Sequence, residues 1–205
     1  MFVKSRVTTV VFDIGNVLVD WNPRYLYRKL FDDAEAMERF LGEVCTSDWN
    51  LELDRGRPFA EAVAERVALY PDFADLIRAY DARWSEMIAG PIAGTVALLE
   101  RLAERETPLY ALTNFSDEKY VETFERFGFF QRFLGVVVSG RVKLLKPDPA
   151  IYRLLLESYG LDPTACLFID DSPANVEGAR KVGLHATRFE SPEQIERMLK
   201  ELALL

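Results

Sequence analysis

Basic residues are in the minority along this chain, 25 lysines and arginines against 33 aspartates and glutamates, for a formal net charge of −8. No Lys/Arg-rich run interrupts that balance, which argues against a nucleic-acid groove. A phosphorylated ligand is not excluded, because one local basic residue and a few main-chain amides can hold it. Cysteine is scarce as well. Cys45 and Cys166 lie far apart and fit neither CxxC nor a metal spacing, so both are expected to be buried free thiols in a reducing cytosol. Long apolar runs are missing. Residues 1–6 lack the apolar region of a signal peptide, and the 7–19 stretch is too short, and carries Asp13, to span a bilayer. These absences predict a soluble cytoplasmic protein without a membrane or nucleic-acid partner.

What the chain does have is apolar content. At 49% over 205 residues it can bury a substantial core, as one domain or as a core with an insertion. The central stretch is Val10-Val11-Phe12-Asp13-Ile14-Gly15-Asn16. Apolar, partly β-branched residues running up to a lone acid and a Gly-Asn turn predict a buried parallel strand. In open α/β sheets ligands bind outside the carboxyl ends of strands, so Asp13 is expected at a site.

No strand is predicted over residues 22–90. Asn22-Pro23 opens a short helix to about residue 30, and a second covers about 33–45. Residues 47–57 (SDWNLELDRGR) break the periodicity. Two further helical patterns follow, one ending at Pro71 and the other before Gly90-Pro91. A four-helix cap over 21–90 is therefore expected, set into a core made of 1–20 and 91–205. From Pro91 onward helix and strand alternate, with strands near 108–112, 135–138, 165–169 and 185–189. The expected fold is α/β: a Rossmann-like three-layer α/β/α core with a parallel sheet, and a helical insertion leaving just after the first strand as a lid over the strand ends.

Four strand ends supply polar residues in one place: Asp13, Thr113-Asn114, Lys146 at a helix start, and Asp170-Asp171. The chemistry that fits is phosphoryl transfer. Asp13 and Asp171 with a backbone carbonyl suit Mg2+, a hard ion that keeps waters and uses few protein oxygens. Asp13 is the expected nucleophile, Thr113 and Asn114 hold phosphoryl oxygens, and Lys146 offsets charge on both. Trp49 and Arg55, in the aperiodic segment, are the expected substrate contacts from the cap, whereas Trp84 on a helical stripe is expected in the core.

These stretches resemble the haloacid dehalogenase superfamily over essentially the whole chain. Phe12-Asp13-Ile14-Gly15-Asn16-Val17 is similar to its first motif, Leu112-Thr113-Asn114 to its second, Lys146-Pro147-Asp148 to its third, and Phe168-Ile169-Asp170-Asp171-Ser172-Pro173-Ala174-Asn175 to its fourth. The resemblance implies the Gly15 carbonyl as the second protein ligand of the metal, Asp171 as the third, and Asp170 and Asn175 as supports behind them. It departs at Gly15, where phosphatases of the superfamily carry a second Asp as general acid and base. The Gly-Asn-Val form resembles a branch of sugar-phosphate phosphatases, so a small phosphorylated metabolite, a sugar phosphate first, is the expected substrate. Without an acid at position 15, rates are expected to depend steeply on leaving-group acidity. Two rivals stand beside this reading: a metal-independent 2-haloacid dehalogenase using the same Asp, and a non-catalytic binder of phosphorylated ligands.

Overall fold

In the computed structural model, residues 7–205 are described; residues 1–6, read above as lacking an apolar leader, lie outside them. In chain order the elements are β1 (Thr9–Phe12), β2 (Val19–Trp21), α1 (Arg24–Tyr27), α2 (Ala34–Glu43), α3 (Ser47–Asp54), α4 (Phe59–Leu69), α5 (Ala74–Ala82) and β3 (Ile88–Pro91). The second half continues with α6 (Ala93–Glu104), β4 (Leu109–Thr113), α7 (Asp117–Arg126), β5 (Gly135–Val138), α8 (Ser139–Val142), α9 (Pro149–Tyr159), β6 (Cys166–Asp170), α10 (Pro173–Lys181), β7 (His185–Arg188) and α11 (Pro192–Glu201).

The core sheet has the order β5-β4-β1-β6-β7, and every neighbouring pair is parallel. β1 lies at its centre and is buried on both faces. Val10 and Phe12 pack on one side with α6 (Leu98, Leu99, Leu102) and α11 (Ile195, Leu199). Val11 packs on the other with α9 (Ile151, Tyr152, Leu155) and Ala179 of α10. This period-two split across two helical layers is why β1 reads as an unbroken apolar run. The caps follow the sequence: Ser116 Oγ accepts from the Lys119 amide at 3.2 Å, Asp148 from the Ala150 amide at 2.8 Å, and Gly160 closes α9 at φ +62. Both cysteines are buried and free. Among the described residues no helix is long and apolar enough to cross a membrane.

Two elements depart from expectation. Residues 47–54 form a helix, capped by Thr46, whose side chain accepts from the Trp49 amide at 3.1 Å. Only Trp49 and Leu53 of that helix are buried, so its apolar stripe is too thin to register as a period. The insertion therefore holds five α-helices rather than four. The second departure is a two-stranded antiparallel ribbon, β2 with β3, pairing Val19 with Pro91 and Asp20 with Gly90 where the chain enters and leaves the insertion. Strands of three and four residues carry too little pattern to read; their partner lies about 70 residues away, as the register itself shows.

The far end of α3 is fastened to the core. Ser139 Oγ donates to the Asp54 carbonyl at 2.5 Å, and Lys143 Nζ to the Gly56 carbonyl at 2.7 Å. Gly56 has φ +91, and a Cβ there would lie 2.2 Å from the Gly140 carbonyl oxygen. Gly56→Ala should therefore cost about 1–3 kcal/mol, from backbone strain and the forced separation. Gly42→Ala, inside α2 with open space at its Cβ, should instead stabilise by about 0.5 kcal/mol. Thermal denaturation of the two variants checks this, and equal shifts would contradict it.

Candidate active site

The carboxyl ends of β1, β4 and β6 converge on one buried lysine. Lys146 sits in the loop before α9 with its ammonium fully enclosed, 2.8 Å from Asp13 Oδ1 and 2.7 Å from Asp170 Oδ2. It also donates to the Leu112 carbonyl at 2.9 Å, so all three of its protons are used. Burial alone would push its pKa down; the two carboxylates outweigh that and hold it above the ordinary lysine range. The loop that carries it is fixed by Asn114, whose Oδ1 accepts from the Lys146 amide at 2.8 Å and whose Nδ2 donates to the Lys146 carbonyl at 3.1 Å. The Asn114 side chain is thus committed to the loop, which leaves its main-chain amide as the group available to a ligand.

Asp13 follows β1 directly, and its amide is tied across to the Ile169 carbonyl at 2.9 Å. Its carboxyl is raised to about 7: burial is the largest cause, Lys146 pulls it down, and Asp170 and Asp171 add to the rise. Asp170 is fully buried and saturated: besides Lys146 it accepts from the Ser172 amide at 2.8 Å and from Asn175 Nδ2 at 3.0 Å. Asp171 faces the cavity, raised by burial and by Asp170, with the Asn16 side chain hydrogen-bonded to it. Oxygens of Asp13, Asp170 and Asp171 all lie within 4.8 Å of one another. Three carboxylates share one ammonium, a local excess of negative charge that a hard divalent cation would neutralise through oxygen donors.

Other predicted residues lie close by. Gly15 lines the cavity beside Asp13 and Asp171. Its φ is not positive, and a Cβ there would meet no atom within 4 Å, so neither backbone strain nor packing demands glycine. Thr113 Oγ1 is buried at the carboxyl end of β4 with no hydrogen-bond partner among the described residues. An orphaned hydroxyl at such a place fits a phosphoryl oxygen supplied from outside the chain.

Trp49 and Arg55 are not brought to the cavity. Trp49 is 4% exposed and packs edge-on against Tyr80 at 4.9 Å, inside the insertion. The Arg55 side chain is half exposed and borders a separate groove with Pro147 and Asp148. The helical geometry of α3 explains both. Trp49 and Leu53, four residues apart, take its buried face, while Asn50 and Asp54 take the face towards the cavity. Trp84, expected in the core, is buried against Phe115 at 5.4 Å and also forms part of the cavity wall, as does Trp21. The cavity has a volume of about 150 Å³.

Sequence reasoning passed over Asp54. Burial pushes its carboxyl up to about 7, against the Ser116 amide hydrogen bond and the Lys146 charge, which pull it down. Its Oδ2 accepts from Asn50 Nδ2 at 2.8 Å, and Asn50 Oδ1 accepts from the Tyr80 hydroxyl at 2.8 Å. The i, i+4 spacing of Asn50 and Asp54 is the signal that a helical reading of 47–54 would have exposed.

A model of the haloacid dehalogenase-like hydrolases matches residues 7–183, and the chain belongs to that family. Over 94% of this chain and 98% of its own length, the phosphorylated carbohydrates phosphatase of Thermotoga maritima is 24% identical. The drimenol cyclase of Aspergillus calidoustus is 23% identical over 96% of this chain, which spans only 36% of that protein. Among solved structures, a family enzyme from Bacteroides thetaiotaomicron superposes with a TM-score of 0.73 at 22% identity, over 95% of this chain and 98% of that one. The same enzyme has been crystallised with magnesium and inorganic phosphate, and that complex superposes with a TM-score of 0.70 at 22% identity over 90% and 95% of the two chains.

Because Lys146 compensates two buried carboxylates, Lys146→Met should destabilise the fold by about 3–5 kcal/mol at neutral pH and above. The loss should shrink on acidification, as protonation discharges the stranded acids. Denaturant titrations at two pH values test this; a loss under about 1 kcal/mol would mean that the lysine is not the electrostatic centre of the fold.

Proposed function

We propose that this protein is a magnesium-dependent phosphatase of small phosphorylated metabolites, sugar phosphates first among them, acting through a phosphoryl group carried on Asp13. The observation that carries this reading is the grouping of Asp13 with Lys146 and the acid pair Asp170-Asp171 at one sheet edge. The donor set fits the ion: Asp13, Asp171 and the Gly15 carbonyl would hold magnesium, with Asp170 and Asn175 supporting from behind. Bound there, it would neutralise the charge that otherwise keeps an anionic phosphate away from an anionic nucleophile.

The rest is done by the chain. Asp13 attacks phosphorus, and the ester oxygen leaves on the far side, in line. Thr113 Oγ1 and the Asn114 amide hold the phosphoryl oxygens, and Lys146 keeps Asp13 oriented and offsets the charge that gathers there. Water then attacks phosphorus, releasing inorganic phosphate and restoring the Asp13 carboxylate. Residues 21–90 act as a cap over the core made of 1–20 and 91–205, opening at the β2–β3 ribbon. Trp21 and Trp84 offer flat apolar walls that suit a sugar ring, and the named activity of the Thermotoga relative supports the same class. Two buried free thiols fit a cytoplasmic setting.

An acid pair beside the nucleophile would repel the carboxylate of a 2-haloacid unless a cation lay between them, which argues against the dehalogenase reading. The test is phosphate release over a metabolite panel, with and without magnesium, with a 2-haloacid included. Turnover should vanish on chelation, return with magnesium, and be inhibited by calcium, which prefers more ligands and looser geometry. Asp13→Asn should abolish it. Retention of about a tenth or more of wild-type turnover by that variant would remove Asp13 as nucleophile. Chloride release from the haloacid after chelation would establish a dehalogenase instead.

A further inference from the structure

We propose that Asp54, reaching the cavity from the end of α3, is the general acid and base of this reaction, supplying from the insertion the proton transfer that Gly15 cannot. The inference rests on the phosphatase reading above and adds the group that protonates the leaving oxygen. Three observations support it. Asp54 lines the same cavity as Asp13, Gly15 and Asp171, but arrives from the insertion while they arrive from the sheet edge. A leaving oxygen that departs in line, away from Asp13, therefore moves away from the sheet edge.

The carboxyl is also held in place from both sides of the cavity. The Ser116 amide donates to it from the loop after β4, and Asn50, itself held by the Tyr80 hydroxyl, donates from α3. Ser139 and Lys143 bind the main chain of the same turn, at the Asp54 and Gly56 carbonyls. Such double anchoring fixes a group to the small tolerance that proton transfer needs.

Finally, burial raises the Asp54 carboxyl to about 7, against the pull of the Ser116 amide and Lys146, which suits a group that must give up and regain a proton. A carboxylate whose only task was to pin α3 to Ser116 would be served better by full ionisation. Position 15 itself carries no acid, although a Cβ there would meet no atom within 4 Å.

The proposed steps balance. In the first, an Asp13 oxygen bonds to phosphorus as the P–O bond to the leaving group breaks. The proton of the Asp54 carboxyl passes to the departing oxygen, giving a neutral alcohol and the Asp54 carboxylate. In the second, that carboxylate takes a proton from water as the water oxygen bonds to phosphorus. The P–O bond to Asp13 breaks, inorganic phosphate forms, and both side chains return to their starting states.

The test compares wild type with Asp54→Asn, with Asp54→Ser as a second variant, on phosphate esters graded in leaving-group pKa and saturated with magnesium. An activated aryl phosphate needs no proton to leave, so its kcat/KM should stay within a few-fold of wild type. For simple alkyl phosphates kcat/KM should fall by about 10²–10⁴-fold. With Asp54 supplying the proton, wild type should show a shallow dependence on leaving-group pKa, in place of the steep one expected from Gly15 alone, and the variants should show the steep one. Loss of the base for the second step should show as a burst of one phenolate per chain followed by slow turnover, which also reports that the variant is folded. Equal loss of kcat/KM on aryl and alkyl esters would reduce Asp54 to a structural anchor and overturn the proposal, as would no loss on either. If wild type releases phosphate from none of the esters, the phosphatase reading itself fails, and this proposal with it.

Discussion

One buried ammonium holds the active edge of this protein together. Lys146 is enclosed between Asp13 and Asp170 and caps the carbonyl end of β4, so three strands of the sheet meet on a single side chain. Isolated, any of these charges would be costly to bury; together they satisfy most of one another's hydrogen-bonding needs. The compensation is incomplete, because Asp171 adds a further carboxylate within reach of the same oxygens. That remainder of negative charge is what prepares the site for a cation and, through it, for a phosphate.

The sheet and the insertion bring different residues to the cavity. β1 is central and buried on both faces, so Asp13 is displayed from the middle strand of the sheet. The insertion joins the core through two chain crossings paired as one ribbon, and its contacts at Ser139 and Lys143 lie at the opposite end of α3 from Thr46. Two parts of the chain meet at the cavity. Asp13, Lys146, Asp170 and Asp171 belong to the core, while Asn50, Asp54 and Trp84 come from the insertion.

The parallel sheet and the residues at its edge were legible because each is encoded locally. An apolar run that stops at Asp13, Thr113 or Asp170 announces both a strand and the residue it delivers. The helix starts at Ser116, Asp148 and Ser191 were equally local, being set by caps one to three residues long. The 47–54 helix was not legible, since six of its eight residues are not buried and only Trp49 and Leu53 mark its inner face. Taking that stretch as irregular led to Trp49 and Arg55 as substrate contacts, whereas the helix turns Asn50 and Asp54 to the cavity instead. The β2–β3 ribbon was hidden for a different reason: pairing between two very short strands is decided by tertiary contact rather than by propensity.

If Asp13 carries the phosphoryl group, as proposed, that group can be trapped on it. The protein is mixed with magnesium and an activated aryl phosphate, quenched in acid within the first turnover, and digested for mass spectrometry. The peptide containing Asp13 should gain the mass of one phosphoryl group, a gain absent from Asp13→Asn and lost on chase in neutral buffer. Phosphoryl transfer to any other residue, or steady turnover with no phosphorylated peptide at any quench time, would contradict the proposal.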